Sequence, residues 1–256
     1  MTQPETQAAV HEEGEPTFSF IPAAWSPGAA LWLLVLVFGV SALGSLTARA
    51  IIARPLSDLQ SSVLVGGTLA VGYLIELVVV SLVSRSRGIG FSASVGLIRP
   101  DSGGTWVWVI LAVLGALAAR GIASLYAGLM QLLPVELPGA DANPLTLFPG
   151  GGFSAVILVL VVVVIAPFAE EVVFRGVLLP AFGARWGAFV GVAASSALFA
   201  GLHFSAYVLF PIAVAALLFA LLVVRFRSLW PAYLAHATFN GIAVVLLIVL
   251  EARGLV

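Results

Sequence analysis

The sequence predicts an all-α, polytopic integral membrane bundle of about seven to eight transmembrane helices, and three observations carry that reading. First, only 9% of the 256 residues are charged while 61% are hydrophobic. A soluble domain carries about 25% charged residues, so this chain has too few to coat a globule in water. Second, mean hydropathy is +1.15 over the whole chain. Third, apolar windows of about 20 residues, the length that crosses a bilayer, recur along the sequence. Backbone groups in hydrocarbon must be satisfied within their own segment, which makes such runs helices.

Residues 1–27 read as a disordered acidic tail. Glu5, Glu12, Glu13 and Glu15 lie there with no basic residue, whereas a secretory signal opens on positive charge. His11 in this tail is a solvated side chain. Residues 28–256 form a single membrane domain, with the polar residues that can carry chemistry in 153–250. Spans fall near Ala29–Ala48, Val63–Val83, Thr105–Leu133, Phe153–Phe174, Trp186–His203, Val208–Val224 and Pro231–Leu250. Gly183, Gly187 and Gly191, four apart, let helix backbones approach closely.

Loop charge sets orientation. Arg85, Arg87 and Arg99 lie between spans two and three, Arg185 between four and five, and Arg225 and Arg227 between six and seven. The loop between three and four holds Glu136 and Asp141 and no arginine. The N-terminus is therefore expected in the cytoplasm, with Arg49 and Arg54 opposing. All eleven basic residues are arginine, which with the alanine content points to a GC-rich genome and a bacterial plasma membrane. A net charge of -1 gives no sign of a nucleic-acid partner; the partner that composition predicts is membrane lipid, and the sequence does not indicate an oligomeric state. With no cysteine, disulfides, thiol catalysis and Cys-ligated zinc are excluded.

Ionisable residues inside a span are expensive and mark function. They cluster in PFAEEVVFRG (Glu170, Glu171, Arg175), ALFAGLHF (His203) and LAHATFN (His236, Asn240). Glu171 and Arg175 are four apart and meet on one helix face as a structural ion pair. Glu170 points about 100° away, free to face a cavity. His236 and Asn240 share another face, and Phe199 packs near His203 by the same spacing. A carboxylate with an imidazole can activate water, and a second His with an Asn can donate to an oxyanion. Glu170, His203 and His236 could equally hold zinc, and residue type alone leaves both chemistries open. Glu76 in span two and Arg120 in span three are unplaced; a Glu76–Arg120 pair is one arrangement.

EEVVFR resembles the EExxxR motif, FAGLH the FxxxH motif and HATFN the HxxxN motif of the CAAX prenyl protease and bacteriocin-processing family (CPBP, or Abi). All three stand in the family's order over Ala166–Gly241, and GFSASVGLIRP resembles its amphipathic lead-in. The resemblance implies a helical intramembrane endopeptidase in which Glu170 and His203 activate water while His236 and Asn240 stabilise the oxyanion. Many members are described as metalloproteases, and a metal-free glutamate mechanism has also been argued for the family. The motifs offer no third carboxylate or His as an outer-shell partner, which leans toward the metal-free chemistry. The competing readings are a proton-coupled transporter, which would show repeated halves, and a non-catalytic scaffold or immunity protein of the same fold. A turn near Ala184 would offset Glu170 from His203 by roughly 7 Å at 1.5 Å per residue. Bringing His236 to the same depth calls for irregular backbone across His203–Pro211.

Overall fold

A computed structural model describes residues 25–52, 56–101, 104–134, 137–139, 147–149 and 152–254. The acidic tail up to residue 24 lies outside them, as do Arg54, Glu136 and Asp141 of the loops and the side chain of Arg49. The helices are α1 (Pro27–Ile52), α2 (Asp58–Ser86), α3 (Phe91–Ser94), α4 (Thr105–Gln131), α5 (Phe153–Trp186), α6 (Ala188–Gly201), α7 (Ala206–Phe226) and α8 (Trp230–Ala252), and no strand occurs among the described residues. Trp25 is buried, and Ser26 Oγ accepts a hydrogen bond from the Ala29 N–H at the head of α1.

The fold is an all-α membrane bundle. Five helices have spanning length and hydropathy: α2, α5, α7, α8 and, from Trp106, α4. The apolar stretch Pro27–Val37 of α1 and the helix α6 are shorter. The fifth expected span is thus a helix of 14 residues. At 1.5 Å per residue it is about 21 Å long, short of the roughly 30 Å hydrocarbon core.

Helix α5 runs on for 34 residues, past the boundary expected near Phe174. It turns at Gly187, whose φ of 88° suits only glycine, and not near Ala184. That shift of three residues matters. Glu170 lies seventeen residues before Gly187 and His203 sixteen after it, so the hairpin itself brings the two to one level and the expected offset disappears. The α5–α6 contact is close because a Cβ on Gly191 would lie 2.8 Å from Leu179 O and 2.9 Å from Gly183 Cα.

Two stretches of α5, Leu160–Ile165 and Val172–Leu178, are wound as π-helix. Each runs to just before a proline, Pro167 or Pro180. A proline ring collides with the carbonyl four residues back and lacks the N–H that would bond it. The wider turn, in which the Ala166 N–H reaches Val161 O and the Leu179 N–H reaches Phe174 O, accommodates both prolines without ending the helix. Such turns recur at functional sites, and here they flank Glu170 and Glu171.

The depth of α8 is set by the segment after α3. Val95 is buried against Gly176, where a Cβ would come within 2.8 Å of Val95 Cβ. Next in sequence, Gly96 O accepts from the Leu229 N–H at 2.8 Å, and Ile98 O accepts from Ser228 Oγ at 2.7 Å. The head of α8 is therefore hung at the level of Gly176, ten residues before the end of α5. The irregular segment expected across His203–Pro211 is confined to residues 202–205; the helix resumes at Ala206 with Pro211 inside it.

Candidate active site

Glu171 and Arg175 are both fully buried, and Arg175 Nη1 donates to Glu171 Oε1 at 2.8 Å. Arg175 Nη2 donates to Ala216 O on α7 at 2.8 Å, and the guanidinium carbon lies 4.6 Å from the Phe199 ring centre. A charge pair in so dry a site is held by this surrounding set of acceptors and ring faces.

The same Glu171 oxygen has a second partner that helical spacing did not reveal. His236 Nδ1 lies 2.8 Å from Glu171 Oε1. A carboxylate only accepts, so Nδ1 carries the proton and Nε2 is turned outward. Nε2 stands 3.7 Å from Glu170 Oε2. The ring is stacked on Phe219 at 5.1 Å between centroids and meets Phe199 edge-on at 5.6 Å. His236 reaches this level only six residues into α8 because the helix begins where Gly176 and the lead-in segment hold it.

His203 is fixed by parallel means. Its Nδ1–H donates to Phe199 O at 2.8 Å, and its ring lies 5.0 Å from that of Phe199. Its Nε2 is left as an acceptor. Glu170 is held from α2, where the Tyr73 hydroxyl donates to Oε1 at 3.0 Å. Tyr73 was missed in the sequence; the available signal was its place one turn before Glu76, which puts a phenol and a carboxyl on one face of an apolar helix.

Asn240 Nδ2 donates to Val162 O at 2.9 Å. The acceptor is explained by the π-turn. After Ala166 bonds Val161, the next donor along is residue 167, a proline with no N–H. Asn240 fills that vacancy.

A cavity of about 210 Å³ is lined by Tyr73, Glu170, Phe199, His203, His236 and Asn240, among others. All four residues singled out for catalysis thus border one space. Glu76 is buried and lines an adjoining cavity of about 250 Å³ with Tyr73, Glu170 and His203. The Glu76–Arg120 arrangement does not form: Arg120 Nη2 donates to Phe239 O at 2.6 Å, and its charge sits 3.7 Å over the Phe239 ring.

The residues do not fit zinc as arranged. Both rings have Nδ1 fixed by an oxygen acceptor, as metal-ligating histidines commonly do, so outer-shell partners are present after all: Glu171 for His236 and Phe199 O for His203. Yet no three His, Asp or Glu side chains among the described residues close around one point. The chemistry below is therefore built on water alone.

Fold and site together define a polytopic membrane protein with a buried Glu–Arg–His cluster opening on a small polar cavity. Residues 152–242 match the family model described as Type II CAAX prenyl endopeptidase Rce1-like. That stretch, which holds Glu170, Glu171, Arg175, His203, His236 and Asn240, is similar to the CAAX-type intramembrane proteases and spans the three motifs. Neither the curated proteins nor the solved structures contain a match.

Proposed function

We propose that this protein is an intramembrane endopeptidase that hydrolyses a peptide bond of a membrane-associated peptide or protein, with water activated by Glu170 and His203. The observation that carries this reading is the shared cavity, where the Glu170 carboxylate faces two imidazoles whose Nε2 atoms are both directed by Nδ1–H hydrogen bonds. Tyr73 occupies Glu170 Oε1, leaving Oε2 toward the cavity. A water between Glu170 and His203 would transfer one proton to Oε2 as its oxygen attacks the carbonyl carbon, while its other O–H stays hydrogen-bonded to His203 Nε2. When the tetrahedral intermediate collapses, the carboxyl returns its proton to the leaving amine.

The oxyanion needs donors. Asn240 has a second Nδ2–H beyond the one on Val162 O. His236 donates only with protons on both nitrogens, and the Glu171 carboxylate on Nδ1 is the counter-charge for that imidazolium. The loop arginines support a cytoplasmic N-terminus, and the Lys-free, Ala-rich composition supports a bacterial plasma membrane; in that setting the role we assign is peptide maturation, bacteriocin self-immunity or regulated proteolysis. The test is cleavage of a quenched fluorogenic peptide library by purified protein. Glu170→Gln keeps the size and the hydrogen bond from Tyr73 but removes the base, so turnover is expected to fall by about 10²-fold or more with the melting temperature unchanged. Turnover of Glu170→Gln within threefold of the parent protein, a margin of about 0.7 kcal/mol, would remove Glu170 from the chemistry.

A further inference from the structure

Arg120, on a membrane-spanning helix, is a cation that the proposed chemistry does not use. It lies midway along α4, fifteen residues after Thr105 and eleven before Gln131. Its charge is met by a carbonyl and a ring face, both from Phe239. Among the described residues no ion pair to a carboxylate is formed by Arg120, unlike Arg175, which pairs with Glu171. Its Nε is buried without a hydrogen-bond partner. A guanidinium carries five N–H donors in a fork that matches a carboxylate, and most of that fork is unused here.

Arg120 borders a chamber of about 450 Å³ between α4, α7 and α8 that also exposes Ser124, Tyr126 and Tyr207. That volume lies within the roughly 300–1,000 Å³ of small-ligand sites. Five residues of its wall, His203 and Asn240 among them, are also in the wall of the cavity holding Glu170. An anion on Arg120 would thus sit one chamber away from the attacking water, in a space otherwise lined largely by aliphatic side chains such as Leu158 and Leu247. The position of Arg120 at mid-helix puts it far from the level of lipid headgroups, so a phosphate from the bilayer is the poorer match to this depth.

We propose that Arg120 receives the free C-terminal carboxylate of the peptide substrate, with the residues before that carboxylate occupying the apolar chamber and the scissile bond reaching Glu170 past His203 and Asn240. This rests on the endopeptidase reading above. Arg120 is then a specificity residue that registers the end of the chain.

The test uses one dye-labelled peptide from the cleaved set, made as the free acid and as the C-terminal amide, with the full protein in neutral-lipid nanodiscs. The acid is expected to exceed the amide in kcat/KM by about tenfold or more, through KM, since a charge-assisted hydrogen bond is lost in the amide. In Arg120→Gln the acid-to-amide ratio should fall to near one whatever the absolute rate, and Arg120→Lys should keep part of it. Equal turnover of acid and amide by the parent protein overturns the proposal and leaves the endopeptidase intact, even if Arg120→Gln fails to fold. Equilibrium binding of the two peptides to Glu170→Gln gives the same ratio without turnover. Acid-selective binding with no cleavage by the parent protein upholds the carboxylate site and overturns hydrolysis. An acid preference that disappears when anionic phospholipid is added assigns the site to a lipid phosphate and overturns the peptide assignment.

Discussion

Removing the charge of Glu171 should damage stability and turnover together, and the two losses can be separated. Glu171→Gln leaves Arg175 as a buried guanidinium without the carboxylate that touches it, both side chains having no exposed surface in the parent protein. Breaking such a pair from one side costs about 3–5 kcal/mol, because the remaining charge stays desolvated. With no solvent exposure there is no screening to reduce it. For a domain of this size each kcal/mol lowers the melting temperature by roughly 2–4 °C, so the expected fall is about 6–20 °C. Replacing both partners, as in Glu171→Leu with Arg175→Met, removes the isolated charge and should recover most of that loss. It should not recover turnover, because His236 Nδ1 still lacks the acceptor that fixes its ring. Melting is read by intrinsic fluorescence in detergent and turnover on a fluorogenic peptide. If Glu171→Gln melts within about 2 °C of the parent, less than 1 kcal/mol, the buried pair is not a structural lock. If the double variant is fully active, Glu171 does not position His236.

Two further outcomes follow from the same geometry. Tyr73→Phe removes one neutral donor to Glu170 Oε1 and should lower turnover by about 2- to 12-fold with little change in melting temperature; an unaltered rate would show that Oε1 needs no such support. Purified protein should carry well under one equivalent of zinc, and a chelator should leave turnover unchanged. Chelator-sensitive activity restored by zinc would mean that Glu170, His203 and His236 close on a metal that their present arrangement does not gather.

How far the site was readable from the chain depends on whether its contacts run along a helix or between helices. Glu171 and Arg175, and Phe199 and His203, are one turn apart, so spacing alone placed them together. Glu170 facing a cavity followed from the same turn once Glu171 was taken. The contacts that assemble the site join residues remote in sequence: Tyr73 reaches Glu170 across 97 positions and His236 reaches Glu171 across 65. No periodicity encodes those. The hairpin level was misjudged because Gly187 was read only as a small packing residue, when its positive φ makes it the turn. The depth of α8 was unreadable for a different reason: it depends on a backbone bond from Leu229 to Gly96 and on the missing side chain of Gly176, features that composition does not report.

Asn240 is the residue on which a structural role and a catalytic role most directly compete. Its amide satisfies Val162 O, which Pro167 leaves without a donor, and it also borders the cavity of Glu170 and His203. Asn240→Ala should therefore have two effects. An unsatisfied carbonyl costs about 1–3 kcal/mol of stability, and loss of an oxyanion donor costs roughly 2.7–4 kcal/mol of transition-state binding, two to three decades of turnover with substrate affinity little changed. Pro167→Ala separates them, because an alanine at 167 supplies the N–H that the π-turn directs at Val162 O. In that background Asn240→Ala should no longer lower the melting temperature, while turnover should still fall by two to three decades. If the turnover loss disappears along with the stability loss, Asn240 acts only by holding the π-turn in front of Glu170, and the oxyanion must be met by His236 alone.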